Sequence, residues 1–169
     1  KPGTPIDPED ETMLEADLAR YQSIYETNGS KTVGEIRTEM QRIMQKYAGV
    51  FRTDELLQEG VEKLDALYQE LSKIKLHDTS NCFNTEYIEI LELENLLQNS
   101  LATLHSANFR KESRGAHAHD DYPERDDKNW LAHSIARLNK HTIEMSRRPV
   151  IMSTLNEQLP PVPLAKRVY

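Results

Sequence analysis

Residues 108–130, which read NFRKESRGAHAHDDYPERDDKNW, hold the side chains best suited to chemistry in this chain of 169 residues. Acidic and basic groups are crowded together there with two histidines and one glycine. Charged side chains are seldom buried without partners, so the segment does not predict a hydrophobic core. It predicts a binding site, or an interface that specific ion pairs hold together.

One interpretation of this segment is a metal site. His117, His119, Asp120 and Asp121 offer imidazole and carboxylate groups, which suit zinc or iron in a hydrolase or an oxygenase. A further histidine would have to come from His105, His133 or His141. We therefore expect no metal site here.

A second interpretation concerns the basic side chains, which are Arg110, Lys111, Arg114 and Arg125. Arginine forks recognise the carboxylates or phosphates of a ligand. They can also pair with acids of their own segment, and acids outnumber bases here, which favours internal pairing. The acids concerned are Glu112, Asp120, Asp121, Glu124, Asp126 and Asp127.

Catalysis by these residues has weaker support. Ser113 lacks the G-x-S-x-G pattern of a nucleophile elbow. Asp126 and Asp127 could act as paired carboxylates in acid–base chemistry. Their position favours instead the start of a short helix that carries Trp130 and packs its ring under a helical bundle.

The overall composition restricts the function classes. A formal net charge of −7 argues against nucleic acid as the main partner. Neither G-x-G-x-x-G nor G-x-x-x-x-G-K-[ST] occurs, so the chain should not bind a dinucleotide through a strand–loop–helix motif. Cys82 is the only cysteine, and we expect it to be a buried, inert thiol. No apolar run is long enough to span a membrane.

Four helices should precede the charged segment. The first covers about residues 11–26 and stops at an Asn-Gly pair. Thr32 and Glu35 form a capping box for the second helix. Thr53 should cap the third helix, and Asn84 the fourth, which runs to about residue 106.

Apolar residues on the second and third helices recur at alternating steps of three and four, which places one stripe along each helix. These stripes are Val33, Ile36, Met40, Ile43, Tyr47 and Val50, then Leu57, Val61, Leu64, Tyr68 and Leu71. The fourth helix is apolar on more than one side, which predicts a central position covered by the others. Gly60 lies in the middle of the third helix and should lower the stability of that helix by about 1 kcal/mol relative to alanine.

The region after the charged segment has a different pattern. Two β-leaning runs, 130–138 and 141–152, flank Asn139-Lys140 and predict a hairpin. The proline-containing tail, 155–169, should lie extended across a surface. The predicted fold is therefore mainly α: an antiparallel bundle of three to four helices, followed by a small irregular C-terminal domain with a β-hairpin.

Several strings resemble one flavoprotein family. Residues 109–134 are similar to a segment near the C-terminus of succinate dehydrogenase flavoproteins, and DTSNCFNT, LELENL and PPVPLAKRVY resemble other strings of that family. The pattern R-x-E-S-R-G-x-H-x-x-x-D-x-P also resembles fumarate reductase flavoproteins and L-aspartate oxidases. The string RDDKNWLAHS, residues 125–134, resembles succinate dehydrogenase flavoproteins more than the other two groups. His119 departs from the family pattern, in which arginine is frequent.

The resemblance implies a division of the chain. Residues 1–10 would be a linker from a missing N-terminal FAD-binding domain, 11–107 a helical bundle domain, and 108–169 a small C-terminal domain with a charged loop, a hairpin and an extended tail. The family binds FAD and performs catalysis in the preceding domains. The resemblance therefore implies no catalytic, cofactor-binding or metal residue in this chain.

The resemblance also implies what the complete protein does. It would oxidise succinate to fumarate and pass electrons to quinone. Its partners would be its own FAD-binding domain, an iron–sulfur subunit and, indirectly, membrane anchor subunits, at the cytoplasmic face of the bacterial inner membrane. Alternatives are the same module of a fumarate reductase or an L-aspartate oxidase, a metal-dependent enzyme, and a free-standing helical interaction protein.

For the charged segment we expect a network of ion pairs and hydrogen bonds that orders it against the FAD-binding domain. The core of this network would be Arg110, Glu112, Arg114, His117 and Asp121. The same interface should include Ser113, Gly115, Arg125, Asp126, Asp127 and Trp130.

Overall fold

The computed structural model describes residues 8–139, 142–156, 158–160 and 162–165. It confirms a mainly α fold with a small antiparallel hairpin. The helices are α1 (Pro8–Ser23), α2 (Val33–Tyr47), α3 (Asp54–Gln69), α4 (Thr85–Phe109) and the short α5 (Asp127–Trp130), and the strands are β1 (Ala132–Asn139) and β2 (Thr142–Pro149). Short 3-10 helices, Ile24–Glu26 and Glu70–Lys73, follow α1 and α3.

The predicted N-terminal caps are confirmed. Thr32 Oγ1 accepts from the Glu35 amide at 3.2 Å, and Glu35 Oε2 accepts from the Thr32 amide at 2.7 Å, which completes the capping box of α2. Thr53 caps α3 by accepting from the Leu56 amide. Asn84 caps α4 in the same way. The first helix begins at Pro8, ahead of the predicted start, because proline is favourable in the first turn of a helix.

The core lies between α2, α3 and α4. Each helix contributes one buried stripe: Val33, Ile36, Met40, Ile43 and Tyr47; Leu57, Val61, Leu64 and Tyr68; Ile90, Leu93, Leu97, Leu101 and Leu104. The predicted continuation of the first stripe to Val50 is wrong, since α2 ends at Tyr47 and Val50 is 78% exposed.

α4 takes the predicted central position, with α2, α3 and both strands packed on it, but its cover is incomplete. Its second apolar side, which includes Ile88 and Leu96, is exposed to 53% and 40%. α1 meets α4 through polar contacts, which include the ion pair of Arg20 with Glu94 at 2.6 Å and a hydrogen bond from Tyr87 Oη to the Tyr21 carbonyl at 3.2 Å. In the described part of the chain, α2, α3 and α4 therefore pack as the bundle, with the hairpin against α4.

Gly60 allows α3 to approach α2 closely. A β-carbon at this position would lie 2.5 Å from Tyr47 Cβ and 3.2 Å from Leu104 Cδ2. Gly60→Ala should therefore lower the free energy of unfolding by about 1–3 kcal/mol, although alanine is the better helix former. Urea denaturation would measure this.

Gly34→Ala is the matched control for that substitution, because nothing lies within 4 Å of a β-carbon at Gly34 in the first turn of α2. It should raise stability by up to about 1 kcal/mol. If Gly60→Ala stabilised the chain equally, close packing at Gly60 would be refuted.

The hairpin is confirmed with a shift of one residue in its turn. Asn139 pairs with Thr142, so Asn139 belongs to β1 rather than to the predicted turn. The other predicted turn residue, Lys140, lies outside the described residues, as does His141. The described part of the tail is not helical and is exposed, and Arg125 Nη1 donates to the Ala165 carbonyl.

Cys82 is exposed, so the prediction of a buried thiol is wrong. The loop before α4 folds around Asn84, whose side-chain nitrogen Nδ2 donates to the backbone carbonyls of Asp78 and Ser80. Asn84 occupies the inner position, and the Cys82-Phe83 pair is left outside. Among the described residues, no helix has the length and apolar character needed to cross a membrane.

Candidate functional site

The charged loop, defined as residues 110–127, is organised around the carboxylate of Glu112, which is fully buried. This carboxylate accepts from Arg114 Nε at 2.8 Å, from Arg114 Nη2 at 3.0 Å, from the Asp126 amide at 2.8 Å, and from Arg110 Nη1. Burial alone would raise the pKa of Glu112. The hydrogen bonds from Arg114, Asp126 and Arg110 outweigh burial and hold the pKa below its ordinary value.

A row of alternating charges continues from Glu112 toward α5. Arg114 Nη2 lies 2.7 Å from Asp127 Oδ1, and Arg125 Nη2 lies 2.6 Å from Asp127 Oδ2. The hydrogen bonds from Arg114 and Arg125 lower the pKa of Asp127. Asp126 caps α5 by accepting from the amides of Lys128 and Asn129, at 3.0 Å each. The row therefore fixes where α5 begins.

Arg110 connects the end of α4 to the hairpin. Its guanidinium donates to the carbonyls of Trp130, at 3.1 Å, and Ala132, and to Ser134 Oγ at 3.3 Å. It also lies over the ring of Trp130. Because Arg110 binds Glu112 as well, one side chain joins α4, the charged loop and β1.

The backbone of the charged loop makes a tight reversal. The amides and carbonyls of Arg114 and His117 bond to each other, at 2.8 and 3.1 Å, and Gly115 between them has a φ of 58°. Glycine adopts this conformation without strain. Ser113 is structural: its Oγ donates to the Tyr122 carbonyl at 2.8 Å and accepts from the His119 amide at 2.9 Å.

His117 is held in one tautomer by its two partners. Nδ1 lies 2.9 Å from Arg52 Nη1, which can only donate, and Nε2 lies 3.1 Å from the Arg110 carbonyl, which can only accept. His117 therefore carries its proton on Nε2 and is neutral. Burial lowers its pKa, and the nearby Arg52 acts in the same direction.

The charged loop docks on the N-terminus of α3 through Asp54. Lys111 Nζ lies 2.6 Å from Asp54 Oδ1, and Tyr122 Oη donates to Asp54 Oδ2 at 2.8 Å. The Asp54 amide donates to Asp121 Oδ2 at 2.7 Å, which suits an acid at the start of a helix. Burial would raise the pKa of Asp54, but the bonds from Lys111 and Tyr122 lower it overall.

The two histidines of the loop lie beside each other but contact different groups. Their ring centroids are 5.9 Å apart, in an edge-to-face arrangement. His119 is buried, and its Nε2 lies 3.0 Å from Asp54 Oδ1. The groups that come together are Asp54, His119 and Asp121. His105 pairs with Asp65 elsewhere.

Sequence reasoning missed three residues of this arrangement: Arg52, Asp54 and Tyr122. Asp54 follows the cap Thr53 and looks like an ordinary acid of a first helical turn. Its partners Lys111 and Tyr122 are 57 and 68 positions away, so no local pattern indicates them. Arg52 bonds to His117 Nδ1 and to the carbonyls of Ala48 and Gly49, so the excess of acids in the charged loop does not indicate it either.

The chemistry of this arrangement is that of a structural brace. Arg110, Arg114 and Arg125 each contact a carboxylate of the loop. Ser113 and His117 bond to backbone or to an arginine rather than to each other. Such a closed network orders a segment, whereas a nucleophile needs an adjacent base.

Comparison with known proteins places the chain among flavoproteins. Residues 37–169 match a family model described as "Fumarate reductase flavoprotein C-term". The chain is 41% identical over 170 residues to the succinate dehydrogenase flavoprotein subunit of Rickettsia bellii, covering 100% of this chain and 28% of that relative. It is 40% identical over 169 residues to the mitochondrial succinate dehydrogenase [ubiquinone] flavoprotein subunit of Oryza sativa subsp. japonica, of which it covers 27%.

Comparison with solved structures shows the same fold in related flavoproteins. A mutant of E. coli quinol fumarate reductase FrdA superposes with a TM-score of 0.85 at 32% identity, over 95% of this chain and 27% of that one. Adenylylsulfate reductase of Archaeoglobus fulgidus shares the fold, with a TM-score of 0.72 at 21% identity over 89% of this chain and 26% of that one. The chain thus spans little more than a quarter of the length of these proteins.

Proposed function

This chain belongs to the C-terminal family of fumarate reductase and succinate dehydrogenase flavoproteins, and we propose that it acts as the C-terminal module of a succinate dehydrogenase flavoprotein subunit. The complete subunit would bind FAD outside this chain, oxidise succinate to fumarate and pass electrons to quinone. The chain itself would be non-catalytic and would support the assembly of the subunit.

The observation that carries this proposal is the closed network around Glu112. A fully buried carboxylate that accepts four hydrogen bonds positions the backbone around it, and it has no capacity left for acid–base chemistry with a substrate. A role in bracing a neighbouring domain uses what such a network provides, which is rigidity.

Exposed apolar side chains support packing on other parts of the complete subunit. Met13, Leu14 and Leu18 of α1 are exposed to 50% or more, and Ile88 and Leu96 of α4 to 53% and 40%. Several large apolar side chains exposed on neighbouring helical turns are typical of an interface. We propose that the FAD-binding domain covers it, and that the subunit docks on an iron–sulfur protein, with membrane anchor subunits as indirect partners, at the cytoplasmic face of the bacterial inner membrane.

A second candidate is the same module of a fumarate reductase. The likeness to E. coli fumarate reductase, with its TM-score of 0.85, favours it. The Haemophilus influenzae fumarate reductase flavoprotein subunit is 34% identical over 152 residues, below the 41% of the Rickettsia bellii succinate dehydrogenase subunit. Succinate dehydrogenase is therefore the better-supported candidate. Comparing the rates of succinate oxidation and fumarate reduction by the complete protein would distinguish the two.

Arg114→Ala in the complete subunit tests the bracing role. The substitution leaves Glu112 and Asp127 without one of their two arginines each, so the charged loop should loosen. We expect a several-fold loss of assembled complex or of bound flavin, measured by native gel and flavin fluorescence. Arg42→Ala is the control, because Arg42 pairs with Glu39 on the surface and should change neither quantity. Normal flavin content and activity in Arg114→Ala would refute the bracing role.

A denaturing gel tests membership in a larger flavoprotein. An antibody to this chain should detect a band several times heavier than 19.5 kDa, and flavin fluorescence of that band would show in addition that the flavin is covalently attached, because denaturation releases any other flavin. A dark band near that mass would contradict the proposal and favour a free-standing interaction protein.

A further inference from the structure

We propose that Asp54, His119 and Asp121 form a binding site for one divalent transition-metal ion of the zinc type, independent of the flavin. One ligand atom of each residue lies within 4.8 Å of the other two. The set is one imidazole nitrogen and two carboxylate oxygens. Imidazole favours zinc and its neighbours over magnesium and calcium, and carboxylates are common additional zinc ligands.

The ring of His119 is the observation that points to an ion. Its side chain is 0% exposed, and Nε2 lies 3.0 Å from Asp54 Oδ1. Neither ring nitrogen has a hydrogen-bond partner in suitable geometry among the described residues. A buried polar group without a partner is costly, so native structures rarely keep one. An ion between Nε2 and the Asp54 carboxylate would give Nε2 the partner that it lacks.

The two carboxylates are held in place by groups around them. Tyr122 Oη donates to Asp54 Oδ2 at 2.8 Å, and the Asp54 amide donates to Asp121 Oδ2 at 2.7 Å. Hydrogen bonds of this kind orient metal ligands and strengthen metal binding. Zinc–ligand distances are about 2.0–2.2 Å, so the three ligand atoms need to move together slightly, which the exposed Asp121 side chain permits.

Lys111 would compete with the ion. Its ammonium group lies 2.6 Å from Asp54 Oδ1, where the ion would bind, and its side chain is 35% exposed. The ammonium group can therefore swing into solvent when an ion enters, and like charges prevent both from being present together. The site would hold either the lysine or the metal.

An ion at this position would join two parts of the fold. Asp54 belongs to the first turn of α3, whereas His119 and Asp121 belong to the charged loop. Because the ligands come from segments more than sixty positions apart, binding would stabilise the docking of the loop on the bundle. We therefore expect Zn²⁺ to raise the melting temperature of the protein.

Titration of ZnCl₂ into the purified protein that contains the complete chain tests the proposal, with calorimetry as the readout. His119→Gln and Asp121→Asn should each weaken binding by about tenfold or more. Lys111→Met should tighten it by about tenfold or more, because it removes the competing cation. His77→Gln is the control: His77 also pairs with a carboxylate, Glu86 at 2.9 Å, and its substitution should leave the affinity unchanged.

Two outcomes would overturn the site. One is the absence of Zn²⁺ binding below about 1 mM, and the other is an affinity that His119→Gln leaves unchanged. If His119→Gln fails to fold, Lys111→Met decides: tighter binding and a larger Zn²⁺-dependent rise in melting temperature support the site, and an unchanged affinity overturns it.

Discussion

Glu112→Ala is expected to lower the free energy of unfolding by about 3–5 kcal/mol, because removing one partner of a buried ion pair leaves the other charges uncompensated. In this chain the partners left behind are Arg110 and Arg114, together with the Asp126 amide. Glu112→Gln should cost less, since the amide oxygen can still accept hydrogen bonds although the charge is lost.

Urea denaturation of the variants would measure this loss. Glu39→Ala is the matched control, because Glu39 forms an exposed pair with Arg42 at 3.6 Å and should change stability by no more than about 0.5 kcal/mol. A loss below about 1 kcal/mol for Glu112→Ala would mean that the loop does not depend on its central carboxylate.

The stability that the Glu112 charge contributes should depend on pH in a definite direction, which Glu112→Gln can test. The pKa of Glu112 is lowered in the folded protein, while the unfolded chain should titrate near the ordinary value of 4.5. A carboxyl with a depressed pKa contributes its full stability above the unfolded pKa and loses it as the pH falls through the folded pKa. The difference between wild type and Glu112→Gln should therefore be largest above about pH 4.5 and shrink below it.

The fold could be predicted largely from local signals. Thr32, Thr53 and Asn84 cap helices through bonds to residues three positions on, and apolar stripes repeat within one helix, so short windows contain the information. Prediction was wrong where the outcome depends on other segments. Ile88 and Leu96 show the same apolar character as buried residues of α4, yet they are exposed to 53% and 40%, because coverage depends on which other segments pack there.

The candidate site was harder to predict for the same reason. Pairing within the charged loop follows from its composition, because Arg110, Glu112 and Arg114 are near neighbours. The docking of the loop on α3 does not follow from composition, since Asp54 is brought to Lys111 only by the packing of α3 on α4. The contact of His119 with Asp54, 3.0 Å from Nε2 to Oδ1, likewise joins segments far apart in the sequence, so no local pattern indicates it.

Trp130→Ala is expected to have a comparably large effect, because its ring holds the hairpin on the helical bundle. The ring is buried, meets Phe109 of α4 edge-on at 5.5 Å between centroids, and lies 3.8 Å from the guanidinium carbon of Arg147 in β2. Loss of a buried tryptophan ring costs about 3–5 kcal/mol, and the cation–π contact with Arg147 is lost with it.

Chemical denaturation and hydrogen exchange together would test the role of Trp130. Phe51→Ala, which removes an aromatic ring that is 75% exposed, should change stability by no more than about 0.5 kcal/mol. In Trp130→Ala, amides of the hairpin should exchange much faster, while amides of α2 and α3 change less, because the hairpin contacts the bundle through α4. Equal acceleration in all elements would show that Trp130 stabilises the bundle as a whole, and unchanged exchange in the hairpin would refute its role as the link between the two.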